Sequence, residues 1–316
     1  MTSCDYARYL PAALEAILEQ SRPAEEVLVI DDASQDESPR ILEAYAARHP
    51  NLRLRLHSRR KGVIERLNQS LVETSQPMVL FAGADDLLAP GALQLWTKGL
   101  AMAPEAAFCT GVSEPMDEEG RPLIRRRFPS HRHQGWVPPY RALRIMRGHG
   151  FWFSGAATVF RRKRLLDAGG FDPELGLLCD SFVAQVLALQ HGFCYLPQPL
   201  VWQRYSPLSY SQQLLGHREG MARFRGVMRV RMQERYPELF PPRFVKQWDG
   251  LSNLLTELYA CKQEISAKRE SSGRWQTSLA AIKGLARLMP LVMGQTNNPL
   301  LLPYLSFTRL RQWIAK

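Results

Sequence analysis

Hydrophobic and polar positions follow two different periods along the first hundred residues. Segments with apolar residues at helical spacing lie at about 11–20, 39–48 and 63–73. Short runs rich in β-forming residues lie between them, at 26–30 and 52–56. Strands that alternate with helices in this way are typical of a parallel sheet with right-handed connections. We therefore predict an α/β fold for this part of the chain.

The next apolar run, at 78–82, is too short for a helix and predicts a buried parallel strand. Two carboxylates, Asp85 and Asp86, follow it directly. Ligands of open parallel sheets bind at the carboxyl ends of the strands, and adjacent acids there suit a divalent cation that also holds phosphates. A second interpretation stays open, because the proline and glycine that follow could make either acid the N-cap of the next helix.

Beyond residue 104 the pattern predicts a short strand at 107–110, a hairpin with an acidic turn at 117–122 and a strand at 151–160. A helix is predicted at 181–190, because Phe182, Val186 and Leu189 share one face. Two further amphipathic helices are predicted in the last third, at 214–235 and 244–265.

Composition narrows the class of protein. The chain has 316 residues, of which 45% are hydrophobic, so it can bury a sizeable core. Its five cysteines show no metal-ligand spacing and no secretory signal precedes them, which indicates reduced thiols and a cytoplasmic protein. No apolar run is long enough to predict a transmembrane helix.

Positive charge is concentrated in the last third. Residues 211–316 carry 17 Lys and Arg against seven Asp and Glu, out of a net charge of +11. From Ser271 onward there are six basic residues and no acid. Nucleic acid, an anionic membrane or an acidic partner would each be attracted. Because no nucleic-acid recognition motif is present, we expect no nucleic acid and rank the membrane surface first.

The apolar stretches near the end of the chain are flanked by Trp275 and Trp313, which suits an interfacial helix on the inner face of the cell membrane. An equally open alternative is that these helices pack on the rest of the protein or form a homodimer.

Five motifs in order then carry a resemblance to a known family. They are MTSCDYARYL at 1–10, VIDDAS at 29–34, GADD at 83–86, GGFD at 169–172 and CD at 179–180. They resemble the patterns MTSYNxAxYL, VDDGS, DADD, GGFD and ED of the family 2 glycosyltransferases of the GT-A fold. The likeness covers about residues 1–210.

The resemblance implies a mostly parallel, Rossmann-like sheet flanked by helices. It implies a nucleotide-sugar half at 1–103, an acceptor half at 104–210 and, outside the likeness, a basic helical extension at 211–316. The implied reaction is metal-dependent and inverting. It moves a sugar from a UDP- or dTDP-sugar to a hydroxyl of a glycan or lipid-linked acceptor, in surface polysaccharide or glycolipid assembly.

Residues for the donor are implied by matching motif positions. Asp32 resembles the family carboxylate that accepts a hydrogen bond from the nucleotide base. Such an acceptor suits the imide N–H of uracil or thymine. A structural role of Asp32 in an Asx-turn or as an N-cap stays open. Thr2 and Cys4 correspond to base contacts. Cys4 stands where many members have a tyrosine, and Asp5 replaces an asparagine.

Three residues in or just before the helix predicted at 63–73 are candidates for phosphate binding: Lys61, Arg66 and Asn68. Asp85 corresponds to the acid that holds Mg²⁺ or Mn²⁺ against the diphosphate. Asp86 is included as a second metal candidate, with a capping role as the alternative. Gly83 occupies the position of a further acid in the family.

Asp180 corresponds to the catalytic base, which takes the proton of the attacking hydroxyl. An N-cap role for Asp180 stays open, because a helix follows it. Cys179 replaces the usual glutamate. Ser206 stands where the family often has a histidine, so a histidine contact to metal or diphosphate is not carried over.

The family has a strand before the first helix, and no apolar run precedes that helix here. A buried sheet without that strand would leave backbone groups unpaired, at about 1–3 kcal/mol each. We therefore expect the natural chain to begin upstream of Met1.

Two other functions remain as alternatives. A catalytically inactive relative that binds nucleotide-sugar or glycan is suggested by Cys4, Gly83, Cys179 and Ser206. A nucleotidyltransferase would need a glycine- and lysine-rich phosphate loop, and none is visible.

Overall fold

The structure is a computed structural model that describes residues 1–123, 134–149, 153–206, 209–215, 217–253, 256–257 and 260. The chain divides into two compact units. The first contains Met1–Ile145 and Phe151–Ser206, and the second contains Met146–Gly150 and Pro207–Lys316. The first unit therefore carries the five motifs.

A three-stranded parallel sheet opens the first unit. Its strands are β1 (Thr2–Ser3), β2 (Val27–Asp31) and β3 (Leu52–Leu56), in that order. Helices α1 (Leu10–Leu18), α2 (Ser38–Arg48) and α3 (Val63–Glu73) follow the strands in turn. All five residues of β2 are buried, as the apolar run predicts. The alternation predicted for this region is confirmed.

The first strand is present, although the sequence indicated none. Thr2 pairs with Ile30 of β2, and a single parallel bridge joins Thr2 to Gly83. The Met1 amine donates to the Leu28 carbonyl at 2.8 Å. The absence of this strand was wrongly predicted because Thr2 and Ser3 form no apolar run. They pair through their backbones with β2 and Gly83, and the buried Met1 side chain packs in the core.

A six-stranded sheet follows, with the order β4, β8, β6, β9, β5 and with β7 paired to β9. The strands are β4 (Met78–Leu80), β5 (Leu87–Leu88), β6 (Phe108–Met116), β7 (Gly135–Val137), β8 (Thr158–Arg161) and β9 (Phe193–Arg204). Its helices are α4 (Ala92–Met102), α5 (Pro139–His149), α6 (Arg162–Asp167) and α7 (Cys179–His191).

This second sheet corrects one prediction. The strand expected to be parallel, β4, runs antiparallel to β8, with Leu80 opposite Val159. Among the described strands of this sheet, only β6 and β9 pair in parallel. The three residues of β4 are also half-buried, where a buried strand was predicted. A short apolar run does not indicate the direction of the partner strand, so the two cases could not be distinguished from the sequence.

The core of the first unit lies between these sheets and their helices. Fully buried side chains include Leu10, Leu14, Trp96 and Phe108. The Trp96 Nε1 donates to the Ala157 carbonyl at 3.3 Å, which ties α4 to the turn before β8. This packing fixes the strand ends on which the candidate site lies.

The second unit is helical where it is described. Helix α8 (Tyr210–Leu215) precedes α9 (Arg218–Val230), a π-helical turn follows at Arg231–Arg235, and a further helix lies at 242–253. Arg225 donates to Thr256 and Asn253 and joins α9 to that later helix. The predicted membrane-binding stretches lie outside the described residues. Within the described part of the chain, no helix has the length and apolarity needed to cross a bilayer.

Candidate active site

Carboxyl ends of strands meet at one edge of the first unit. The chain leaves β1 at Cys4 and β2 at Asp32, and the Thr2–Gly83 bridge brings the segment after β4 beside them. Two non-glycine residues at this edge, Asp5 and Ala33, have left-handed backbones with φ of 61° and 64°. Such conformations cost free energy and cluster at functional sites.

Asp32 and Arg66 form a buried ion pair. Their side chains are 5% and 4% exposed, and the Arg66 Nε lies 2.6 Å from the Asp32 Oδ1. The backbone N–H groups of Lys61 and Gly62 also donate to the Asp32 carboxylate. Burial alone would raise the pKa of Asp32, but these hydrogen bonds outweigh burial and hold its pKa below the usual value.

The other predicted donor residues lie around this pair. The Cys4 thiol donates to the Asp32 carbonyl at 3.3 Å, and Arg60 donates to Asp5 at 2.5 Å. The Lys61 side chain is exposed. Thr2 lies beside Gly83 through its backbone bridge. Their contacts with a donor stay predictions.

Asn68 has a structural role that the sequence prediction missed. Its Nδ2 donates to the Phe171 carbonyl at 2.7 Å, and its Oδ1 accepts from the Phe171 N–H at 2.9 Å. A Cβ at Gly170 would lie 2.7 Å from the Asn68 Oδ1, so the glycine permits this contact. Both ends of the amide bind backbone of Phe171, and a contact of Asn68 with the donor stays a prediction. Asn68 joins α3 to the 169–172 turn.

Asp85 and Asp86 face the same small space. A Cβ built at Gly83 would lie 2.8 Å from the Asp86 Oδ2 and 3.0 Å from the Asp85 Oδ1. The Asp86 Oδ1 accepts from the Arg204 N–H at 2.9 Å. Helix α4 has Gly91 at its N-cap, so the N-cap interpretation is wrong for both acids.

Arg204 supports this acidic turn. Its Nε donates to the Asp85 carbonyl at 3.0 Å, and its guanidinium carbon lies 4.6 Å from the centre of the Tyr9 ring. Its terminal nitrogen donates to the carbonyls of Asp117 and Glu118. Arg204 therefore fixes the backbone of the Asp85–Asp86 segment against the hairpin and α1.

The electrostatics of the two acids suit a cation. Burial raises the pKa of Asp85, and burial together with the charge of Asp85 raises the pKa of Asp86 to about 7. Burial and the two carboxylates also raise the pKa of Tyr6. A divalent cation would offset this repulsion, and the space beside Gly83 leaves room for carboxylate oxygens to reach it. In the described residues no cluster of three or more His, Cys, Asp or Glu exists, so this pair would supply only part of a coordination shell.

Asp180 lies in the first turn of α7, where it accepts from the Ser181 N–H at 2.6 Å. The N-cap residue is Leu178, so the N-cap alternative for Asp180 is wrong. Burial raises the pKa of Asp180 to about 6, although the backbone hydrogen bonds act in the opposite direction. A carboxylate with this pKa is ionised at neutral pH and is a stronger base than an ordinary aspartate.

Gly155 makes room for the Asp180 carboxylate. A Cβ built at Gly155 would lie 2.2 Å from the Asp180 Oδ2, which no real contact allows. Gly155 begins the 3-10 turn that leads into β8. The position of Asp180 thus depends on the absence of a side chain at residue 155.

Topology brings Asp180 to the edge that carries Asp85. Strands β4 and β8 are antiparallel, so the chain that leaves β4 toward Gly83 lies beside the chain that enters β8 from Gly155. The acidic turn and the Asp180 carboxylate therefore emerge at the same end of these two strands.

Three residues of this arrangement were missed from the sequence: Tyr6, Gly155 and Arg204. Gly155 carries no sequence signal for its contact with Asp180, since the two are distant in the chain. Arg204 belongs to the segment that ends in Ser206, but only the pairing of β9 places it near Asp86. The Ser206 hydroxyl donates to Glu118 at 2.5 Å.

Comparison with known proteins identifies the family of this chain. The sequence model for "Glycosyl transferase family 2" matches residues 1–168. A curated relative, "Uncharacterized protein MT1568" of Mycobacterium tuberculosis (strain CDC 1551 / Oshkosh), is 28% identical over 217 residues, which is 66% of this chain and 66% of the relative. The chain thus spans slightly less than two thirds of that relative.

Solved structures share the fold. The mannosyltransferase PcManGT from Pyrobaculum calidifontis, in complex with GDP-Man and Mn²⁺, is 21% identical with a TM-score of 0.61, over 99% of this chain and 81% of that chain. S. aureus TarS 1–349 in complex with UDP-GlcNAc is 15% identical with a TM-score of 0.63, over 99% of this chain and 88% of that chain. The same TarS segment was also solved in complex with UDP, and is 16% identical with a TM-score of 0.61, over 99% of this chain and 87% of that chain.

At these identities the solved structures show the fold alone, while the family match covers more than half of the 316 residues. The strand edge with its acidic turn and the family match lead to one conclusion. The chain belongs to glycosyl transferase family 2 and has a GT-A type α/β fold.

Proposed function

We propose that this protein is a metal-dependent, inverting glycosyltransferase that moves a sugar from a nucleotide-sugar to a hydroxyl acceptor. One observation carries the proposal: Asp85 and Asp86 face one space beside Gly83, and Asp180 lies at the same edge of the sheet. A cation site and a general base at one edge are what such a transfer requires.

In this proposal Asp85 and Asp86 hold Mg²⁺ or Mn²⁺, which offsets the negative charge that develops on the departing nucleoside diphosphate. Arg204 keeps the acidic turn in place through its contacts with both residues. Asp180 accepts the proton of the acceptor hydroxyl. Its raised pKa of about 6 suits that role near neutral pH.

The proposed donors are UDP- and dTDP-sugars. Their support is the match of Asp32 to a base-binding position and the UDP and UDP-GlcNAc in complexes of TarS. PcManGT was solved with GDP-Man, so guanine has to be included in any test.

A donor panel tests the proposal. Hydrolysis or transfer is measured for UDP-, dTDP- and GDP-sugars with Mn²⁺ and again with excess EDTA. We expect turnover of at least one uridine or thymidine donor and its loss with EDTA. Turnover that EDTA does not change would contradict the metal role, and a GDP-sugar as the sole substrate would contradict the choice of donor.

Acceptors in surface polysaccharide or glycolipid assembly remain our proposal, motivated by the basic, apolar end of the chain. The rival function is a relative that binds a nucleotide-sugar without turning it over, suggested by Gly83 and Cys179. Thermal shift separates the two, since stabilisation by UDP without any donor turnover favours the rival.

A further inference from the structure

The residues at the end of β1 provide little planar surface for a nucleotide base. Cys4 has a small side chain, and its thiol donates to the Asp32 carbonyl at 3.3 Å. The two tyrosines that follow are engaged elsewhere. The Tyr6 ring packs against the hydrophobic core, and the Tyr9 ring lies against Arg204, whose guanidinium carbon is 4.6 Å from the ring centre. A base bound beside Cys4 would therefore find its stacking surface in neither tyrosine.

Arg60 places a planar group at this position from the loop between β3 and α3. Its Nη2 donates to the Asp5 Oδ2 at 2.5 Å, and the Cys4 Sγ lies 4.0 Å from that same oxygen. Burial raises the pKa of the Cys4 thiol, and the positive charge of Arg60 acts in the opposite direction, as expected of groups that lie close together. The guanidinium is thus held beside Cys4.

Asp5 is fixed in the orientation that holds Arg60. Its backbone is left-handed, with φ of 61°, and its N–H donates to the Ser34 Oγ at 2.8 Å. Its Oδ1 accepts from the Gln35 N–H at 2.7 Å, which leaves Oδ2 for Arg60. An asparagine, the usual family residue here, could keep the contact with Gln35 but has no charge to hold a guanidinium.

The backbone next to Arg60 is also held. The N–H groups of Lys61 and Gly62 donate to the Asp32 carboxylate at 2.9 and 2.7 Å. The side chains of Arg60 and Asp5 are 56% and 41% exposed, so their ion pair contributes little to stability. This exposure leaves the guanidinium accessible to a ligand.

We propose that the base of the donor stacks on the Arg60 guanidinium, which Asp5 holds in place. The guanidinium group is planar and stacks on nucleotide bases and other aromatic rings. This inference rests on the proposed nucleotide-sugar binding and adds Arg60 to the donor site. Stacking tolerates any base, so Asp32 stays the residue proposed to distinguish one base from another.

The test compares UDP with dihydro-UDP, in which the uracil ring is saturated, each with Mn²⁺, by isothermal titration calorimetry. Dihydro-UDP keeps the imide N–H and both phosphates, but its base is neither planar nor aromatic. Arg60→Lys keeps the positive charge and removes the planar group. Asp5→Asn releases Arg60 and is a change that a left-handed backbone tolerates. Arg59→Lys is the matched control, because it makes the same change at the adjacent exposed position.

We expect the wild type to bind UDP about tenfold more tightly than dihydro-UDP, which lies within the range measured for stacking of one base. In Arg60→Lys the Kd of UDP should rise by about tenfold, while the Kd of dihydro-UDP stays within about twofold of the wild-type value. Asp5→Asn should weaken UDP by a smaller factor, about threefold, and Arg59→Lys should bind both compounds as the wild type does.

Three results would overturn the inference. The wild type would bind the two compounds equally, Arg60→Lys would weaken both alike, as a contact with the phosphates predicts, or Arg60→Lys would weaken neither. If the wild type does not bind UDP, the proposed function itself fails. Far-ultraviolet circular dichroism checks that each variant is folded, and Arg60→Lys decides the question without Asp5→Asn.

Discussion

Two glycines determine where the carboxylates of the candidate site can lie. At Gly83 and at Gly155 a Cβ would meet carboxylate oxygens at 3.0 Å or less. Neither position has the positive φ that demands glycine, so the requirement is one of space. Single methyl groups at these positions should therefore act on the chemistry more than on the fold.

Gly155→Ala should displace the Asp180 carboxylate. We expect kcat to fall by about 100-fold, the cost of misplacing a reacting group by about 1 Å, while KM for the donor stays unchanged. Gly226→Ala is the matched control, since no atom lies within 4 Å of its added Cβ. Steady-state kinetics with a saturating acceptor measures both.

The pH profile of the same variant gives an independent readout. In the wild type, burial raises the pKa of Asp180 to about 6, so the base is protonated and activity falls as the pH drops through about 6. Displacement toward water lowers this pKa, and the acid limb should move to lower pH. An unchanged kcat and an unchanged limb would show that Gly155 does not position Asp180.

Gly83→Asp restores the acid that the family commonly has, yet we expect it to weaken metal binding. The new side chain would occupy the space that the Asp85 and Asp86 oxygens face, and the Arg204 N–H limits how far Asp86 can move. Mn²⁺ affinity, measured by electron paramagnetic resonance with UDP present, should fall by about 10- to 100-fold. A higher affinity would mean that a third acid completes the site.

At the scale of elements, helix α3 links the donor edge to the 169–172 turn through Asn68. Asn68→Ala leaves the buried N–H and carbonyl of Phe171 without this partner. The free energy of unfolding should fall by about 1–3 kcal/mol, while the Kd of UDP stays unchanged.

Asn51→Ala is a suitable comparison for that measurement. Its side chain makes one hydrogen bond, to the Ala24 carbonyl at 3.0 Å, so a smaller loss of stability is expected. Denaturant unfolding of both variants gives the two values. Unchanged stability with weaker UDP binding for Asn68→Ala would instead support the role that the motif implied.

Helices α1 to α3 and strands β2 and β3 were predictable because each has a clear apolar pattern. Helix α3 begins and ends at the predicted residues, Val63 and Glu73. Strand β1 was missed because its two residues, Thr2 and Ser3, are small or polar and form no apolar run. The direction of β4 was missed because burial does not encode the partner.

The candidate site, like the fold, could be predicted from the sequence only in part. Motif positions predicted Asp85, Asp86 and Asp180, and the structure places them at one edge of the sheet. The contacts of Gly155 and Arg204 depend on long-range pairing and have no local signal. Asp32 shows the opposite case, since a motif match does not reveal its buried ion pair with Arg66 or its hydrogen bonds from the Lys61 and Gly62 N–H groups.

For the whole molecule, the charge distribution predicts that the protein binds an anionic membrane surface. The six basic residues after Ser271, unopposed by any acid, lie outside the described residues. Each Lys or Arg near an anionic surface contributes about 1 kcal/mol. We expect the full chain to sediment with anionic vesicles at low salt, and a chain that ends at Lys268 to bind them much less.

Neutral vesicles and 0.5 M salt serve as controls for that experiment, because surface attraction is screened at roughly 10 Å in 0.1 M salt and at shorter range in stronger salt. Equal binding of the two chains to anionic vesicles would exclude the basic end as the membrane contact. Packing within the protein or a homodimer would then be the better account of these helices.

Our central claim is that Asp180 removes the acceptor proton at an edge where Asp85 holds the cation. Donor turnover by the wild type and by Asp180→Asn, with Mn²⁺ and with UDP binding measured in parallel, tests it most directly. The account predicts that the variant binds UDP as tightly as the wild type and loses turnover by about 100-fold or more. Turnover at the wild-type rate in Asp180→Asn would contradict it.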